Sequence, residues 1–435
     1  MFTANRKKFF AQMQDGDVAI FAGASHVTRN HDVDFRFRQS SSFWYLTGCH
    51  EADACLILAK GIAGIDEECL FVLPKDPLQE TWHGRRLGPE GAEEKLDFEN
   101  ADVNDEFDGA AMEAITAAKR LWHSVGSNDE LDALVAECCA TLRAKSRLGE
   151  QAPEVIVDHA PVINAMRLIK SEDEITLMLA AANISAEAHS VAMSQAEPGM
   201  REYEIEAMLH HYFRAHGGHA DGWAYPSIVA GGENACILHY TENDQLLGDG
   251  DLLLIDAGAE YQGYAADITR TFPVNSKFSP AQRDVYQVVL DAQRATIENC
   301  QIGNSFHSGH DIASKVLAQG LIDLKIIGGT LEDCLEEQSY KRFTIHNTSH
   351  WLGLDVHDCG EYYLDGNSRP LEAGMVMTVE PGLYFSPTDE MVPEAFRGMG
   401  IRIEDDIHIT KEGPQVLSEG VPKEIEDVEQ QCSGQ

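Results

Sequence analysis

The pattern of apolar residues changes near residues 165–172, and this change constrains the fold more than any other feature. Before it, short apolar runs such as "DVAIFAG", "FWYLTG", "ACLILAK" and "CLFVLP" alternate with turn residues, and helical patterns such as "DELDALVAECCATLRAKSRL" follow. This alternation is typical of an α/β domain. Since 435 residues exceed one small core, we predict two domains, over 1–168 and 169–435.

The second domain is predicted to begin with a helix. Ser171 can cap it, Glu174 is the matching capping-box residue, and apolar residues recur at helical spacing through Met193. A second helix, "REYEIEAMLHHYFRAHG", precedes strand-like runs that include "LLLIDAG", "AADITRTFPV", "GMVMTVEPG" and "IRIEDDIHIT". Because strands outnumber tight βαβ alternations, we expect an α+β arrangement, with an antiparallel or mixed sheet covered by helices. The polar tail from Ser418 to Gln435 is predicted to fray.

Bulk composition excludes several classes of partner. The formal net charge of −39, from 33 basic and 72 acidic residues, repels nucleic acids and anionic lipids, and indicates a solvated acidic surface. No window reaches the roughly 20 apolar residues of a membrane span, and no secretion signal precedes the first domain. We therefore expect a soluble cytoplasmic protein. The ten cysteines lack metal-type spacing, which favours reduced, mostly buried thiols.

Two aspartates occupy facing strands of a predicted hairpin in "LLLIDAGAEYQGYAADITRTF". A turn centred between Tyr261 and Gln262 places Asp256 directly opposite Asp267. Opposed side chains have Cβ atoms about 5 Å apart, so two carboxylates there repel one another unless a cation lies between them. Two divalent ions about 3.5–4 Å apart, as in dinuclear hydrolases, meet that need. The alternative is a β-bulge that turns one aspartate to solvent.

Two further segments carry candidate carboxylates. Glu380 in "TVEPGLY" ends an apolar strand before a turn, where it either reaches a site or lies on the surface. In "GIRIEDDIHIT", Arg402 and Glu404 alternate with isoleucines and so share one strand face. They form either a simple ion pair or a metal ligand beside an arginine that holds another ligand in place.

The segment "FTIHNTSHWLGLDVHD", residues 343–358, groups His346, His350, His357 and Asp358. Its glycine and polar residues predict an irregular conformation rather than a helix. A single histidine is more often a surface or hydrogen-bonded residue than a ligand, but a cluster favours a site. The run "HHYFRAHGGH" is a weaker candidate, since His210 and His211 are neighbours on a helix and point apart. "IVAGGENA" lacks the lysine of a phosphate-binding loop.

Combined, these segments resemble a known family. The order Asp256, Asp267, His350, Glu380, Glu404 resembles the five-ligand set of the pita-bread metallopeptidases. The segments "ILHYTEN", "HNTSHWLGLDVHD", "TVEPGLY" and "GIRIEDD" are similar to those of the Xaa-Pro aminopeptidases, or aminopeptidase P. The segments "DFRFRQSSSFWYLTG", "ETWHGRRLGPEGA" and "INAMRLIKSEDEI" resemble that family's creatinase-type domain. The resemblance implies a creatinase-type domain over 1–168 and a pita-bread catalytic domain with a curved sheet over 169–435.

The resemblance also implies a dinuclear metal centre. Asp256 is expected to bind one ion through both oxygens, Asp267 and Glu404 to bridge the two ions, and His350 and Glu380 to complete the other. Four carboxylates and one imidazole suit Mn²⁺, the metal to which the family points. Two divalent ions also neutralise the four carboxylates.

The activity implied is hydrolysis of the bond before a penultimate proline. A metal-bridging hydroxide is expected to attack the carbonyl, and Glu380 to carry a proton to the departing proline nitrogen. His239, His346 and His357 match histidines that in this family surround the metal ligands or contact the substrate. His239 and His357 are expected to contact the substrate and the developing oxyanion, and His346 and His357 to handle the substrate or proton transfer. Arg402 is expected to orient Asp256 or a neighbour. Asp358 has no assigned role.

Two other functions remain open at this point. A prolidase shares the five ligands but cleaves only dipeptides, and a non-catalytic binding scaffold usually lacks some of them. The first domain is expected to build a homodimer or homotetramer and to cover part of a neighbouring active site, with Trp82 near that entrance. The alternative for Trp82 is a buried core position.

Overall fold

The protein is described by a computed structural model over residues 1–217 and 222–434. The chain divides into two compact units, Met1–Arg167 and Leu168–Gln435. This division falls one residue before the predicted domain boundary.

Unit 1 contains a mixed sheet with the strand order β6-β5-β4-β1-β7-β8. Strand β1 pairs antiparallel with β4 and parallel with β7. The strands are β1 Asp17–Ala22, β2 Thr28–Asn30, β3 Val33–Asp34, β4 Cys55–Lys60, β5 Glu68–Val72, β6 Ala101–Val103, β7 Arg120–Trp122 and β8 Val155–Val157. The helices are α1 Phe2–Gln12, α2 Ser41–Thr47, α3 Pro77–His83, α4 Gly88–Leu96, α5 Phe107–Ala117, α6 Asp129–Ala144 and α7 Ala160–Leu168.

The core of unit 1 forms between this sheet and two helices. Apolar residues of α5 and α6, among them Ile115 and Val135, pack against Val18 and Ile57 of the sheet. This confirms the α/β class predicted for the first domain. The apolar run "FWYLTG" belongs to helix α2. The sequence did not indicate a helix there, because residues 43–47 are all buried and show no amphipathic pattern.

Unit 2 combines antiparallel strands with covering helices. Its helices are α8 Glu172–Gln195, α9 Glu202–Ala215, α10 Pro280–Asn299, α11 Phe306–Asp323, α12 Leu331–Glu336 and α13 Ile425–Cys432. Its strands are β9 Ile228–Gly231, β10 Leu252–Asp256, β11 Glu260–Tyr261, β12 Tyr264–Ala265, β13 Thr269–Pro273, β14 Tyr363–Leu364, β15 Asn367–Ser368, β16 Val376–Val379, β17 Gly382–Tyr384, β18 Gly400–Arg402, β19 Asp405–Thr410 and β20 Gly413–Val416.

Three small sheets form the centre of unit 2. Their strand orders are β13-β10-β9, β16-β19-β20 and β17-β18, and every named pair in them is antiparallel. A bridge between Thr269 and Glu404 links β13 to the residue just before β19. Apolar residues of α8, α9 and α10 pack with Leu253 and Ile255 of β10 in one core. The predicted α+β arrangement is confirmed.

The capping box predicted for α8 is present. The Ser171 hydroxyl accepts a hydrogen bond from the Glu174 amide, and the Glu174 carboxylate accepts one from the Ser171 amide at 2.9 Å. The helix ends two residues beyond the predicted Met193. A capping box can be predicted from the sequence because its donor and acceptor residues lie only three positions apart.

The prediction of a frayed tail was wrong. Residues 425–432 form α13, and its Ile425, Val428 and Cys432 are buried in the core of unit 2. Their spacing of three and four residues makes an apolar stripe that the polar composition conceals. Before the helix, Lys423 Nζ lies 2.6 Å from Asp405 Oδ2, and this ion pair ties the tail to β19.

The ten cysteines are free thiols, and six of them are buried. Across residues 1–217 and 222–434, no helix combines the length and apolar character needed to cross a membrane.

Candidate metal centre

One cavity of unit 2, with a volume of about 820 Å³, is lined by every residue that the sequence analysis placed in a site. These residues are Asp256, Asp267, His350, Glu380, Glu404, His239, His346, His357 and Arg402. They come from four separate parts of the chain: the segment after β9, the β10–β13 hairpin, the irregular stretch 343–358 and the strands β16 to β19. The fold therefore brings all nine together.

The hairpin register differs from the predicted one. Asp256 pairs with Thr269 rather than with Asp267. The two-residue turn is formed by Gln262 and Gly263, whose φ angles are 47° and 87°, as the favoured hairpin turn requires. This turn is centred one residue later than predicted, which shifts the register by two positions. A shift of two keeps both aspartates on the same face, so they still meet without being directly opposed.

Tyr225 joins the two aspartates. Its hydroxyl oxygen lies 2.7 Å from Asp256 Oδ1 and 2.5 Å from Asp267 Oδ1. Burial and the two carboxylates hold the pKa of Tyr225 well above its usual value, so the phenol keeps its proton. Sequence reasoning missed this residue, because an isolated tyrosine in "GWAYPS" has no informative spacing.

Arg402 connects the aspartates to the neighbouring strands. Its Nη2 lies 2.5 Å from Asp256 Oδ2, and its Nη1 donates to the Tyr384 hydroxyl at 3.0 Å. Its Nε donates to Thr269 Oγ1 at 3.1 Å, and that hydroxyl in turn donates to Glu404 at 2.6 Å. Arg402 and Glu404 thus face the same side, as their alternation with isoleucines predicts. Thr269 and Tyr384 are further contacts that the sequence did not reveal.

His350 points one ring nitrogen at the carboxylates. Its Nδ1 lies 3.0 Å from the carbonyl oxygen of Trp351, to which it donates. This hydrogen bond leaves Nε2 facing Asp267 Oδ2 at 3.3 Å and Glu380 Oε1 at 3.7 Å. A backbone carbonyl that fixes one nitrogen and frees the other is the usual arrangement of a metal-binding histidine.

The remaining histidines surround this group. His346 Nε2 lies 2.8 Å from the Tyr384 hydroxyl, and burial, with the nearby Arg402, lowers the pKa of His346 to about 4. The ring centroids of His357 and His350 are 4.4 Å apart. Residues 343–350 are irregular, as predicted, and run beside β16, where the Thr378 amide donates to the His350 carbonyl.

The electrostatics of the cluster favour a bound cation. Burial and repulsion among neighbouring carboxylates raise the pKa of Glu404, and burial raises that of Glu380 to about 7 although His350 and Arg402 oppose the shift. One ligand atom from each of Asp267, His350 and Glu404 can be chosen so that the three lie within 4.8 Å of one another. Four carboxylates are hard ligands and imidazole is a common ligand of divalent transition metals, so the residues present fit a metal centre.

Other predicted positions have different surroundings. His210 stacks on Trp223 with ring centroids 3.9 Å apart, and His216 stacks on Tyr212. His219, in the same histidine-rich run, lies outside the described residues.

Asp358, left without a role, lies 3.0 Å from Lys170 Nζ, and both side chains are buried. Trp82 is 77% exposed, so the buried alternative for this residue was wrong.

Comparison with known proteins places the chain in a family. Residues 176–411 match "Metallopeptidase family M24", and residues 2–122 match "Aminopeptidase P, N-terminal domain". The chain is 45% identical to a Xaa-Pro aminopeptidase of Haemophilus influenzae, over 98% of this chain and 96% of that protein.

Two solved structures are also similar over the full length. An aminopeptidase PepP from Pseudomonas aeruginosa has a TM-score of 0.97 and 40% identity, covering 100% of this chain and 97% of that one. A zinc-substituted Escherichia coli aminopeptidase P in complex with product has a TM-score of 0.95 and 42% identity, covering 100% and 98%. The chain belongs to metallopeptidase family M24 and, within it, to the Xaa-Pro aminopeptidases.

Proposed function

We propose that the protein removes the N-terminal residue from peptides whose second residue is proline, at a centre of two divalent metal ions. The observation that carries the proposal is the convergence of five ligand residues on one cavity wall. They are Asp256, Asp267, His350, Glu380 and Glu404. The names of the similar proteins support the choice of substrate.

The metal ions are proposed to be Mn²⁺, held by those five residues. The ligand set supports this choice because carboxylate oxygens suit hard cations. A similar protein, aminopeptidase P of Escherichia coli, has been solved in a zinc-substituted form. When bound, two divalent ions lower the pKa of a coordinated water and stabilise negative charge on the scissile carbonyl.

The protein's own residues then handle protons and position the peptide. Glu380 lines the cavity, with its carboxylate oxygens 3.5 Å from His346 Nδ1 and 3.7 Å from His350 Nε2. We propose that this carboxylate carries a proton to the departing proline nitrogen. His239 and His357 line the cavity and are proposed to donate to the carbonyl oxygen as negative charge develops on it. His346 is proposed to hold the Tyr384 side chain in place through its contact with the hydroxyl. Arg402 is proposed to hold Asp256 in the same way.

The decisive experiment compares two substrates. The protein is reconstituted with Mn²⁺, its metal content is measured, and release of the N-terminal residue is followed from an Xaa-Pro dipeptide and an Xaa-Pro-Yaa tripeptide. Cleavage of the tripeptide supports the proposal. Cleavage of the dipeptide alone identifies a prolidase instead, and no cleavage of either by protein that binds two ions identifies a non-catalytic scaffold.

Unit 1 is proposed to build a homodimer or homotetramer. The support is the match of residues 2–122 to the N-terminal domain of aminopeptidase P, together with the exposure of Trp82, Leu78, Phe35 and Val27 at 77%, 66%, 55% and 64%. Size-exclusion chromatography with light scattering of W82A tests the assignment of Trp82. A smaller particle than the wild type supports it, and an unchanged mass with unchanged tripeptide cleavage contradicts it.

A further inference from the structure

Glu202, in the first turn of α9, is a fully buried carboxylate that accepts four hydrogen bonds. Its Oε1 accepts from the Gly231 amide at 2.8 Å and from Asn234 Nδ2 at 2.9 Å. Its Oε2 accepts from the Tyr240 hydroxyl at 2.8 Å and from the Gln245 amide at 2.9 Å. In the described part of the chain it makes no ion pair.

All four donors belong to residues 231–245, which comprise the last residue of β9 and most of the connection to β10. The Tyr240 side chain is directed at Glu202, whereas those of its neighbours His239 and Thr241 line the cavity of the metal centre. Glu202 therefore contacts one side of this segment, and the other side, with His239 and Thr241, faces the proposed substrate site.

A second anchor fixes the later part of this segment. Asn243 Nδ2 donates to the Ser227 carbonyl at 2.9 Å, and its Oδ1 accepts from the Val229 amide at 3.0 Å. Ser227 and Val229 flank Ile228, which pairs with Asp256 in the sheet. The segment that carries His239 is thus attached to the strand pair that carries a proposed metal ligand.

The two acceptor oxygens of Glu202 are the property that matters most. A carboxylate offers acceptors only, and here both oxygens face donors. In glutamine, one of those oxygens becomes an NH₂ group that points at two donors, so at least one hydrogen bond is lost and a buried donor is left unsatisfied. The E202Q substitution therefore disturbs the segment while preserving size and shape.

We infer that Glu202 is a positioning residue, whose carboxylate sets the location of His239 at the substrate. This inference rests on the proposed role of His239. If it holds, the effect of Glu202 on catalysis passes through His239, and removal of the imidazole makes the carboxylate irrelevant to turnover.

The test is a double-mutant cycle on the full-length, metal-loaded protein, with kcat and KM measured for an Xaa-Pro-Yaa tripeptide below the melting temperature. We expect E202Q to lower kcat/KM by at least tenfold in the wild-type background and by no more than twofold in the H239A background. E204Q is the matched control, because Glu204 is an exposed residue of the same helix. We expect it to change kcat/KM by less than twofold, with metal content unchanged in every variant.

Each alternative result has a distinct meaning. A lower Tm for E202Q with unchanged kcat/KM overturns the inference and leaves Glu202 a structural residue. Equal losses from E202Q in both backgrounds also overturn it, while the role of His239 survives. An H239A variant with normal kcat/KM contradicts the proposed function of His239 itself. If E202Q does not fold, Y240F replaces it in the same cycle, because it removes one of the four donors to Glu202. We then expect a smaller fall in kcat/KM than for E202Q, and only in the background that keeps His239.

Discussion

Arg402 and Asp256 form an ion pair on the cavity wall, with Nη2 2.5 Å from Oδ2. The same guanidinium donates to Thr269 and Tyr384, so one side chain holds three residues at fixed separations. The planar fork of arginine makes this possible, since its donors leave in fixed and different directions.

The R402K variant tests this arrangement. Lysine keeps the positive charge but concentrates its donors at one atom, which cannot reach all three acceptors at once. We expect kcat/KM for a tripeptide to fall about 100-fold, because small displacements of reacting groups have effects of that order. R294K is the control, since Arg294 forms an exposed ion pair with Glu424. Near-normal kinetics in R402K would contradict a positioning role for the guanidinium.

Substitution of Asp267 tests the metal centre directly. Asp267 faces His350 at 3.3 Å and is one of three residues whose ligand atoms lie within 4.8 Å of one another. We expect D267N to lose the second metal ion and at least 1,000-fold in kcat/KM, because a neutral amide would bind divalent cations more weakly than a carboxylate does. Metal content is measured by mass spectrometry, with D284N as an exposed control. A D267N protein that retains two ions and normal turnover would overturn the assignment.

Local signals explain why so much of unit 2 was predictable. The capping pair Ser171 and Glu174 marks the start of α8 within four residues. The order of the proposed ligand residues along the chain could also be recognised, because a family pattern can be matched without knowing the distances between the residues. The grouping of the nine site residues in one cavity followed from that pattern.

Contacts between distant residues that the family pattern does not specify were not predictable. The positive φ angles of Gln262 and Gly263 decide the hairpin register, and no residue type made that turn compulsory. Tyr225 bonds two aspartates more than 30 positions away, and its own neighbours in sequence give no indication of it. The α13 stripe was hidden for a related reason, since its partners come from α8, α10 and β13, which are distant in the chain.

The buried pair Lys170 and Asp358 gives a prediction about stability. Their charged atoms are 3.0 Å apart and both side chains are 1% exposed. Removing the ammonium group in K170M takes a cation away from a buried carboxylate, and we expect a loss of about 3–5 kcal/mol in the free energy of unfolding. We expect the double variant K170M/D358L to lose less than the sum of the two single variants. Urea unfolding at pH 7 measures the three values.

An exposed pair supplies the comparison for that cycle. Arg294 and Glu424 are 45% and 40% exposed, and we expect a coupling energy below about 1 kcal/mol between them. If Lys170 and Asp358 show an equally small coupling, burial has not strengthened their interaction and the prediction is wrong.

His159 in unit 1 gives a prediction about acid stability. Burial, with a smaller contribution from His123, lowers the pKa of His159 from 6.5 to about 4. Its Nδ1 lies 3.1 Å from Ser124 Oγ, and its ring packs against Phe21. Between pH 6.5 and 4 the unfolded chain binds a proton that the folded protein does not. The stabilisation is therefore complete above pH 6.5 and is lost as the pH falls toward 4, by about 1 kcal/mol per pH unit.

The H159F variant isolates this contribution from that of the many acidic residues. Phenylalanine keeps a ring against Phe21 but cannot bind a proton, so we expect its free energy of unfolding to fall less between pH 6.5 and 4.5 than that of the wild type. H31Q removes an exposed histidine and should retain the wild-type difference between the two pH values. Because the acidic residues are common to all three proteins, their titration cancels when the differences are compared. If the free energy of unfolding falls equally in the wild type and in H159F, then titration of His159 does not cause the loss of stability in this pH range.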